Sequence, residues 1–218
     1  MIKAVIFDMD GLLIDSEPLW RQAQAYAFGT VGLKLDDNDM RSTMGRRIDE
    51  VVEYWYHERP WKGASQQDIT ALIIDRVTRL IKSEGKSMPG VNHILDLFKN
   101  KHMPMALASS SSSAIINAVL DRLSIQEYFV HVYSGENETH GKPYPGIYIT
   151  TASLLGVPAR RCLVFEDSPS GVLAAKSANM QCVAVPDTDH KANKFIQTAD
   201  VVINSLQEFN EIIFESLG

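Results

Sequence analysis

From Met105 onward the sequence alternates short apolar runs with segments of helical character. The apolar runs are "MALA", "FVHVYSG", "RCLVFED", "QCVAV" and "DVVIN", and helical stretches such as "GIYITTASLLG" and "SPSGVLAAKSANM" separate them. Short apolar strands that alternate with helices are typical of a parallel sheet covered by helices on both faces. Together with a further strand-like run near the N-terminus, "AVIF", the pattern predicts an α/β fold.

A helical insertion separates the first two predicted strands. The stretch between "AVIF" and "MALA" is far longer than a βαβ unit, which needs only about 30 residues in all. It includes "SEPLWRQAQAYAFGTVG", which begins with a capping serine, and "SQQDITALIIDRVTRLIKS", where Ser65 and Asp68 resemble a capping box. We therefore predict a small helical domain at residues 16–83 and a core domain formed by residues 1–15 and 84–218.

The composition of the 218-residue chain narrows its possible partners. A net charge of −6, without any Lys/Arg-rich run, argues against nucleic acid but allows a small anionic substrate. The sequence has neither about 18 consecutive apolar residues nor a signal-peptide pattern, so we expect no membrane insertion and a cytoplasmic location. Cys162 and Cys182 lie in apolar runs and are predicted to be reduced core residues. A monomer is the default expectation.

Four acidic residues stand where predicted strands end. Asp8 and Asp10 follow "AVIF", and Glu166 and Asp167 close "RCLVFED". Ligands of open α/β sheets bind beyond the carboxyl ends of the strands, so we expect these carboxylates to lie together. Each acid alone would suit a turn, but their shared placement makes a self-repelling cluster that needs raised pKa values or a cation. An all-oxygen cluster of this kind favours Mg²⁺.

Further polar residues belong to the same predicted edge. Ser109 follows the strand "MALA", and Lys142 precedes a proline, which keeps the backbone that carries the amine out of the helical region. A single exposed lysine is usually only solvated, but beside four carboxylates Lys142 is a candidate for binding an anion. Ser168 and Pro169 suit the first positions of a helix and would hold Asp167 beside a rigid element.

Four stretches, "FDMDG", "ALASS", "GKPYPGIY" and "VFEDSPSG", resemble in order the four motifs of the haloacid dehalogenase-like phosphatase superfamily. The resemblance covers essentially the whole chain and implies a Rossmann-like parallel-sheet core with a helical cap inserted after the first strand. Within the cap, "DGLLIDSEPLW", "GRRIDEVVEYWY" and "RPWKGASQQDI" are similar to bacterial sugar phosphatases known as 2-deoxyglucose-6-phosphate or hexitol phosphatases. One departure is Gly146, where related sequences commonly carry an acid. A local salt bridge around Lys142 that depends on this acid is therefore not expected here.

The resemblance implies phosphoryl transfer through Asp8. This residue would attack phosphorus to form an aspartyl-phosphate, and Asp10 would act as the general acid and base. Ser109 and Lys142 would offset the charge on the transferred phosphoryl group.

The resemblance also implies a set of metal ligands. Mg²⁺ would be held by Asp8, the main-chain carbonyl of Asp10, and Asp167. Glu166 would either bind the ion directly or hydrogen-bond to a group that binds it.

The expected substrate is a small phosphorylated sugar or polyol. The core residues expected to contact it, by side chain or main-chain N–H, are Met9, Asp10, Ser109, Ser110 and Lys142. From the cap, Arg46 or Arg47 is expected to reach the substrate, and we take Arg47 as the candidate. A solvated surface arginine is the alternative for both.

The resemblance thus implies an Mg²⁺-dependent phosphatase of sugars such as 2-deoxyglucose 6-phosphate. The nearest alternative is a β-phosphoglucomutase-like phosphotransferase, but such mutases carry a histidine on the first cap helix where this chain has Trp20. A receiver-like signalling module uses similar acids, yet its connections are short and leave no place for the predicted helical insertion. An inactive interaction protein on the same fold is a third alternative. Of the histidines, only His140, two residues before Lys142, is placed to face the cleft.

Overall fold

The central feature of the fold is a parallel sheet. The computed structural model describes residues 1–43, 45–188 and 190–218. Within them the strands are β1 (Ala4–Phe7), β2 (Met105–Ser109), β3 (His131–Ser134), β4 (Cys162–Glu166), β5 (Gln181–Ala184) and β6 (Val201–Val202). They form one sheet in the order β3-β2-β1-β4-β5-β6, with every neighbouring pair parallel.

Helices cover both faces of this sheet. Those of the described chain are α1 (Glu17–Thr30), α2 (Asp37–Ser42), α3 (Ile48–Glu58), α4 (Gln66–Glu84), α5 (Val91–Asn100), α6 (Ser113–Leu123), α7 (Gly146–Leu154), α8 (Pro169–Ser177) and α9 (Glu211–Ser216). Helices α5 and α6 pack on one face, and α7 and α8 on the other. The predicted α/β class is therefore confirmed. None of the described helices combines the length and the apolarity needed to cross a membrane.

The sequence of the central strands follows from burial on both faces. Strands β1, β2 and β4 are buried along their whole length, so each is a continuous apolar run up to its last residue. In β1, alternate side chains point to opposite faces, and Val5 and Ile6 consequently belong to different hydrophobic clusters. Cys162 and Cys182 are buried and unbridged, as the sequence predicted.

Helices α1–α4 form the helical insertion between β1 and α5. The predicted capping box at the start of α4 is present, with Ser65 and Asp68 each accepting a hydrogen bond from the other's backbone N–H. Ile69, Ile73 and Val77 lie on the buried side of this helix. The short helix α2, which the sequence did not predict separately, begins at a second capping box formed by Asp36 and Asp39.

The strand order brings three strand ends to one point. From β1 the chain goes to β2 and β3 on one side of the sheet and later to β4, β5 and β6 on the other. Phe7 is in register with Leu107 of β2 and Phe165 of β4. The residues that follow these positions therefore leave the sheet side by side, at the kind of switch point where α/β proteins bind ligands.

An aromatic cluster packs directly beneath this edge. Phe98 of α5 lies with its ring centroid 6.2 Å from that of Phe7, 5.8 Å from Phe165 and 5.8 Å from Phe209. All four side chains are fully buried. The cluster joins β1, β4 and the C-terminal segment to one helix.

We predict that Phe98→Ala lowers the free energy of unfolding by about 3–5 kcal/mol, because it leaves a cavity among these rings. Chemical denaturation measured by circular dichroism would test it. Ile212→Ala is the control, since Ile212 is 79% exposed and its loss should change stability by less than about 0.5 kcal/mol. Equal effects of the two substitutions would contradict the prediction.

Candidate active site

A buried lysine joins two of the predicted acids. The Nζ atom of Lys142 lies 2.5 Å from Asp8 Oδ1 and 2.5 Å from Glu166 Oε1, and its side chain is only 2% exposed. The Tyr148 hydroxyl donates to the same Glu166 oxygen at 2.6 Å. The three ionic groups come from β1, β4 and the segment before α7, so the ion pairs fix these parts of the chain relative to one another.

Glu166 is held on its other side by the start of α8. Its Oε2 atom accepts hydrogen bonds of 3.0 Å from the N–H groups of Asp167 and Ser168 and from the Ser168 hydroxyl. A Cβ atom at Gly171 would lie 1.7 Å from Glu166 Oε1, so only glycine allows this approach. Ser168 also caps α8, as predicted, by accepting from the N–H of Gly171. Both oxygens of Glu166 are thus engaged by donors of the protein.

Burial and mutual repulsion perturb the acids of this site. Oxygen atoms of Asp8, Glu166 and Asp167 lie within 4.8 Å of one another. Burial raises the pKa of Asp8 to about 7 despite the opposing charge of Lys142. Burial, with the charges of Glu166 and Asp8, raises the pKa of Asp167 well above its ordinary value. Burial acts to raise the pKa of Glu166 too, but its bonds to Lys142 and other donors bring that pKa down.

The donor set fits a divalent cation. Three carboxylates and one ammonium leave an excess of two negative charges when all are ionised, which one divalent ion would balance. The Asp167 carboxylate receives no hydrogen bond from the described part of the chain, and it rests against Gly11, where a Cβ would lie 2.2 Å from Asp167 Oδ2. Because Glu166 is already engaged, Asp8 and Asp167 are the side chains best placed to hold Mg²⁺.

Asp10 lies apart from this cluster and is held by four side-chain donors. Its Oδ1 accepts from the Ser16 hydroxyl at 2.6 Å and from the Trp20 indole at 2.9 Å. Its Oδ2 accepts from the hydroxyls of Ser111 at 2.7 Å and Ser109 at 3.4 Å. Ser16 is at the N-cap of α1, but its hydroxyl does not cap the helix as expected, because it is bonded to Asp10. The carboxylate of Asp10 is therefore not a metal ligand here, which leaves its carbonyl for that role.

The carboxylates and Lys142 open into a cleft of about 80 Å³ between the helical insertion and the sheet edge. Ser109 and Ser110, both predicted to bind substrate, line this cleft. Met9 does not line it, since its side chain is fully buried in the core. Only the main chain of Met9 is therefore available for the expected contact.

The prediction for Arg47 needs correction. Its guanidinium donates to the carbonyls of Gly135 at 3.4 Å and Glu138 at 2.6 Å and pairs with the Asp49 carboxylate. These bonds connect the helical insertion to the loop after β3, and Arg47 is not among the residues that line the cleft. Arg46 lines the cleft instead, with its guanidinium 5.5 Å from the centre of the Tyr54 ring.

An acid from elsewhere in the chain compensates for Gly146. The carboxylate of Glu138 fills the space beside this glycine, and a Cβ at residue 146 would lie 2.2 Å from Glu138 Oε2. Glu138 accepts hydrogen bonds from the Tyr133 hydroxyl at 2.8 Å and Thr150 Oγ1 at 2.7 Å. The ion pairs of Lys142 with Asp8 and Glu166 do not depend on an acid at position 146.

Several contacts of the site were not predicted. Ser111 belongs to a serine run in which the sequence analysis selected only Ser109 and Ser110, and Trp20 entered it only as a replacement for histidine. Glu50 of α3 accepts a hydrogen bond of 3.0 Å from the N–H of Gly141, next to Lys142. His140, expected to face the cleft, stacks on the ring of Tyr144 and lines an adjoining groove that shares Arg46 and Lys142 with the cleft.

The raised pKa of Asp8 predicts a pH-dependent stability. Because the folded-state pKa of about 7 exceeds the ordinary value of 3.8, the stability that Asp8 contributes is complete below the lower value and is lost as pH rises through about 7. Without metal, Asp8→Asn should therefore raise the Tm relative to wild type at pH 8, and raise it less at pH 5, where only part of the contribution of Asp8 has been lost. Addition of Mg²⁺ should reduce the difference in Tm between Asp8→Asn and the wild type at pH 8.

Calorimetry of the wild type and Asp8→Asn at pH 5 and pH 8, with chelator and with Mg²⁺, would test this predicted change in Tm. Asp15→Asn removes a negative charge from an exposed neighbouring position and serves as the control. A Tm for Asp8→Asn at or below that of the metal-free wild type at pH 8 would contradict the prediction.

Comparisons with known proteins agree with this geometry. The chain is 36% identical to hexitol phosphatase B of Escherichia coli (strain K12) over 95% of its own length and 94% of that protein. The crystal structure of CbbY from Rhodobacter sphaeroides in complex with phosphate superposes with a TM-score of 0.87 at 27% identity, covering 95% of this chain and 96% of that one.

The β-phosphoglucomutase structure from Clostridium difficile gives a TM-score of 0.85 at 25% identity, covering 100% of this chain and 97% of that one. Residues 5–185 match the haloacid dehalogenase-like hydrolase family. The match includes the strand ends that carry the acids and the lysine between them. The chain belongs to the haloacid dehalogenase-like hydrolases.

Proposed function

We propose that this hydrolase is a phosphoric monoester hydrolase that removes phosphate from small phosphorylated sugars or polyols through an aspartyl-phosphate intermediate. The main support is the buried bridge from Lys142 to Asp8 and Glu166, which opens into the same cleft as Asp10. Asp8 lies beside a fixed ammonium as a nucleophile would, and Asp10 is hydrogen-bonded by a different set of donors. This arrangement suits phosphoryl transfer followed by hydrolysis. The similarity to a hexitol phosphatase supports the substrate class.

In the first half-reaction, Asp8 attacks the phosphorus atom of the substrate. Its Oδ1 is bonded to Lys142, so we assign the attack to Oδ2. The new bond joins Asp8 to phosphorus while the bond from phosphorus to the sugar oxygen breaks, and Asp10 gives that oxygen a proton. Mg²⁺ bound by Asp8, Asp167 and the carbonyl of Asp10 would supply positive charge to the phosphoryl oxygens.

In the second half-reaction, Asp10 takes a proton from water as the water attacks the phosphorus of the aspartyl-phosphate. The bond between Asp8 and phosphorus breaks, and inorganic phosphate leaves. The hydroxyls of Ser16 and Ser111 can donate or accept hydrogen bonds, so they can hold Asp10 in both protonation states. Asp10 thereby stays aimed at the same position through the cycle.

We propose that residues 16–83 act as a cap that closes over the core domain of residues 1–15 and 84–218. The support is that insertion residues bond to core groups on both sides of the cleft. Ser16 and Trp20 bond to Asp10, and Arg47 bonds to the carbonyls after β3. Closure would exclude bulk water and complete the donors around Asp10.

Trp20 favours hydrolysis over the mutase reaction. Its indole N–H donates to Asp10 Oδ1 at 2.9 Å, and an indole nitrogen is a donor without an acceptor function. It therefore cannot relay a proton as an imidazole can. Asp10 remains the proton-transfer group on this side of the cleft.

Phosphate release from a panel of hexose, deoxyhexose, pentose and hexitol phosphates would test the proposal, with Mg²⁺ and with chelator. We expect metal-dependent release that Asp8→Asn abolishes. Conversion of β-glucose 1-phosphate to glucose 6-phosphate faster than phosphate release would support the mutase alternative. A long-lived aspartyl-phosphate in the wild type would support a signalling module.

Asp10→Asn should separate the two half-reactions. With p-nitrophenyl phosphate, whose leaving group needs little protonation, the variant should release one equivalent of p-nitrophenol and then stop. Intact-protein mass spectrometry should show one added phosphoryl group. Asp8→Asn is the control and should show neither the burst nor the adduct, whereas steady turnover by Asp10→Asn would contradict the assigned role.

Arg47→Ala should weaken cap closure, because it removes the bonds to the Gly135 and Glu138 carbonyls. With Mg²⁺ and a phosphate analogue, the linker at residues 85–89 should be less protected from protease than in the wild type. Arg59→Ala is the matched control, since Arg59 pairs with Asp39 within the insertion. Equal protection of the wild type and both variants would contradict this role for Arg47.

A further inference from the structure

Helix α1 forms one wall of the cleft. Glu17, Trp20 and Gln24 are spaced by three and four residues, which places them on one face of the helix, and all three line the cleft. Apolar residues complete this wall of the insertion: Met40, Ile48 and Val51. The insertion also brings Arg46 to the cleft, with its guanidinium 5.5 Å from the centre of the Tyr54 ring.

Most polar groups of the wall already have partners in the protein. Glu17 pairs with Arg21 at 3.2 Å, and Trp20 donates to Asp10. The Thr43 hydroxyl donates to the carbonyl of Met40 at 3.1 Å. These side chains are committed to internal bonds before any substrate arrives.

Gln24 differs from them. Its side chain is only 9% exposed, and its Oε1 atom is buried without a hydrogen-bond partner among the described residues. A buried carbonyl oxygen without a donor costs free energy, and native proteins keep few of them. A group that stays unsatisfied in the wall of a cleft is therefore a candidate for binding a ligand.

We propose that the Gln24 amide binds a hydroxyl group of the substrate that lies remote from the phosphate. The inference rests on the proposed function and adds a specificity-determining residue to it. Trp20 contacts Asp10, and Gln24 follows four residues later, about 6 Å farther along the helix axis at 1.5 Å per residue. The hydroxyl it binds is thus separated from the reacting phosphorus.

The chemistry of the amide selects the ligand class. A carbonyl oxygen needs a donor, and a hydroxyl group is a neutral donor that does not add a charge to the apolar wall. A phosphorylated hexitol or hexose carries hydroxyls at several distances from its phosphate, whereas glycerol 3-phosphate ends after three carbons. Gln24 therefore favours longer polyol phosphates over short ones.

Gln24→Met tests the proposal because methionine is similarly long and unbranched but cannot accept a strong hydrogen bond from a hydroxyl. We compare kcat/KM for sorbitol 6-phosphate, glycerol 3-phosphate and p-nitrophenyl phosphate, which has no hydroxyl. The kcat/KM for sorbitol 6-phosphate, divided by that for p-nitrophenyl phosphate, should fall about tenfold, as expected for one lost hydrogen bond. The corresponding ratio of kcat/KM values for glycerol 3-phosphate and p-nitrophenyl phosphate should hardly change.

Gln181→Met is the matched control. Gln181 also has a buried Oε1 without a partner among the described residues, but it lies on β5 and does not line the cleft. Both ratios should keep their wild-type values in this variant. A thermal melt of each variant, with Gln24→Ala as a second substitution, separates a folding defect from a change in specificity.

The outcomes are distinct. Unchanged ratios in folded Gln24→Met and Gln24→Ala, or an equal loss with all three substrates, would overturn the role of Gln24 while leaving the phosphatase proposal standing. Failure of the wild type to release phosphate from any sugar or polyol phosphate would instead overturn the proposed function, and it would be seen before any variant is made.

Discussion

The active site depends on a single buried ammonium group. Lys142 neutralises one of three carboxylates that lie within 4.8 Å, and it does so by contacting both Asp8 and Glu166. Removing this ammonium would leave Asp8 and Glu166 buried without a counter-charge, which is strongly destabilising. The positions of Asp8, the capped start of α8 and the segment before α7 are therefore linked through the ion pairs of this lysine.

The two acids after β1 have different surroundings, and this separates their roles. Asp8 is surrounded by charges and is buried, so its ionisation responds to a cation and to Lys142. Asp10 is surrounded by neutral donors, two from each side of the cleft. Two of these donors are the hydroxyls of Ser16 and Ser111, which can also accept, so they can hold the Asp10 carboxyl group in place whether or not it carries a proton, as its proposed role requires.

The sequence predicted those parts of the structure that depend on local periodicity. Continuous apolar runs identified the buried strands, and acids directly after them were expected at one sheet edge because parallel strands end together. Asp8, Glu166 and Asp167 do converge there. The capping box of Ser65 and Asp68 and the helix start at Ser168 follow from short-range spacing in the same way.

Contacts between the helical insertion and the core could not be predicted in this way. Whether Arg46 or Arg47 faces the cleft depends on how α3 is rotated against a loop about ninety residues away in sequence. Likewise, Ser16 looks like a helix cap until the position of Asp10 is known. Spacing along one element carries no information about such rotations, since they result from packing between segments.

The carboxylate of Glu138 and the missing side chain at Gly146 occupy one small volume. A Cβ at residue 146 would overlap the Glu138 oxygen, so a side chain at 146 would require the Glu138 carboxylate to move. The two positions are therefore coupled through packing although neither lines the cleft, and the effect of a substitution at one depends on the residue at the other.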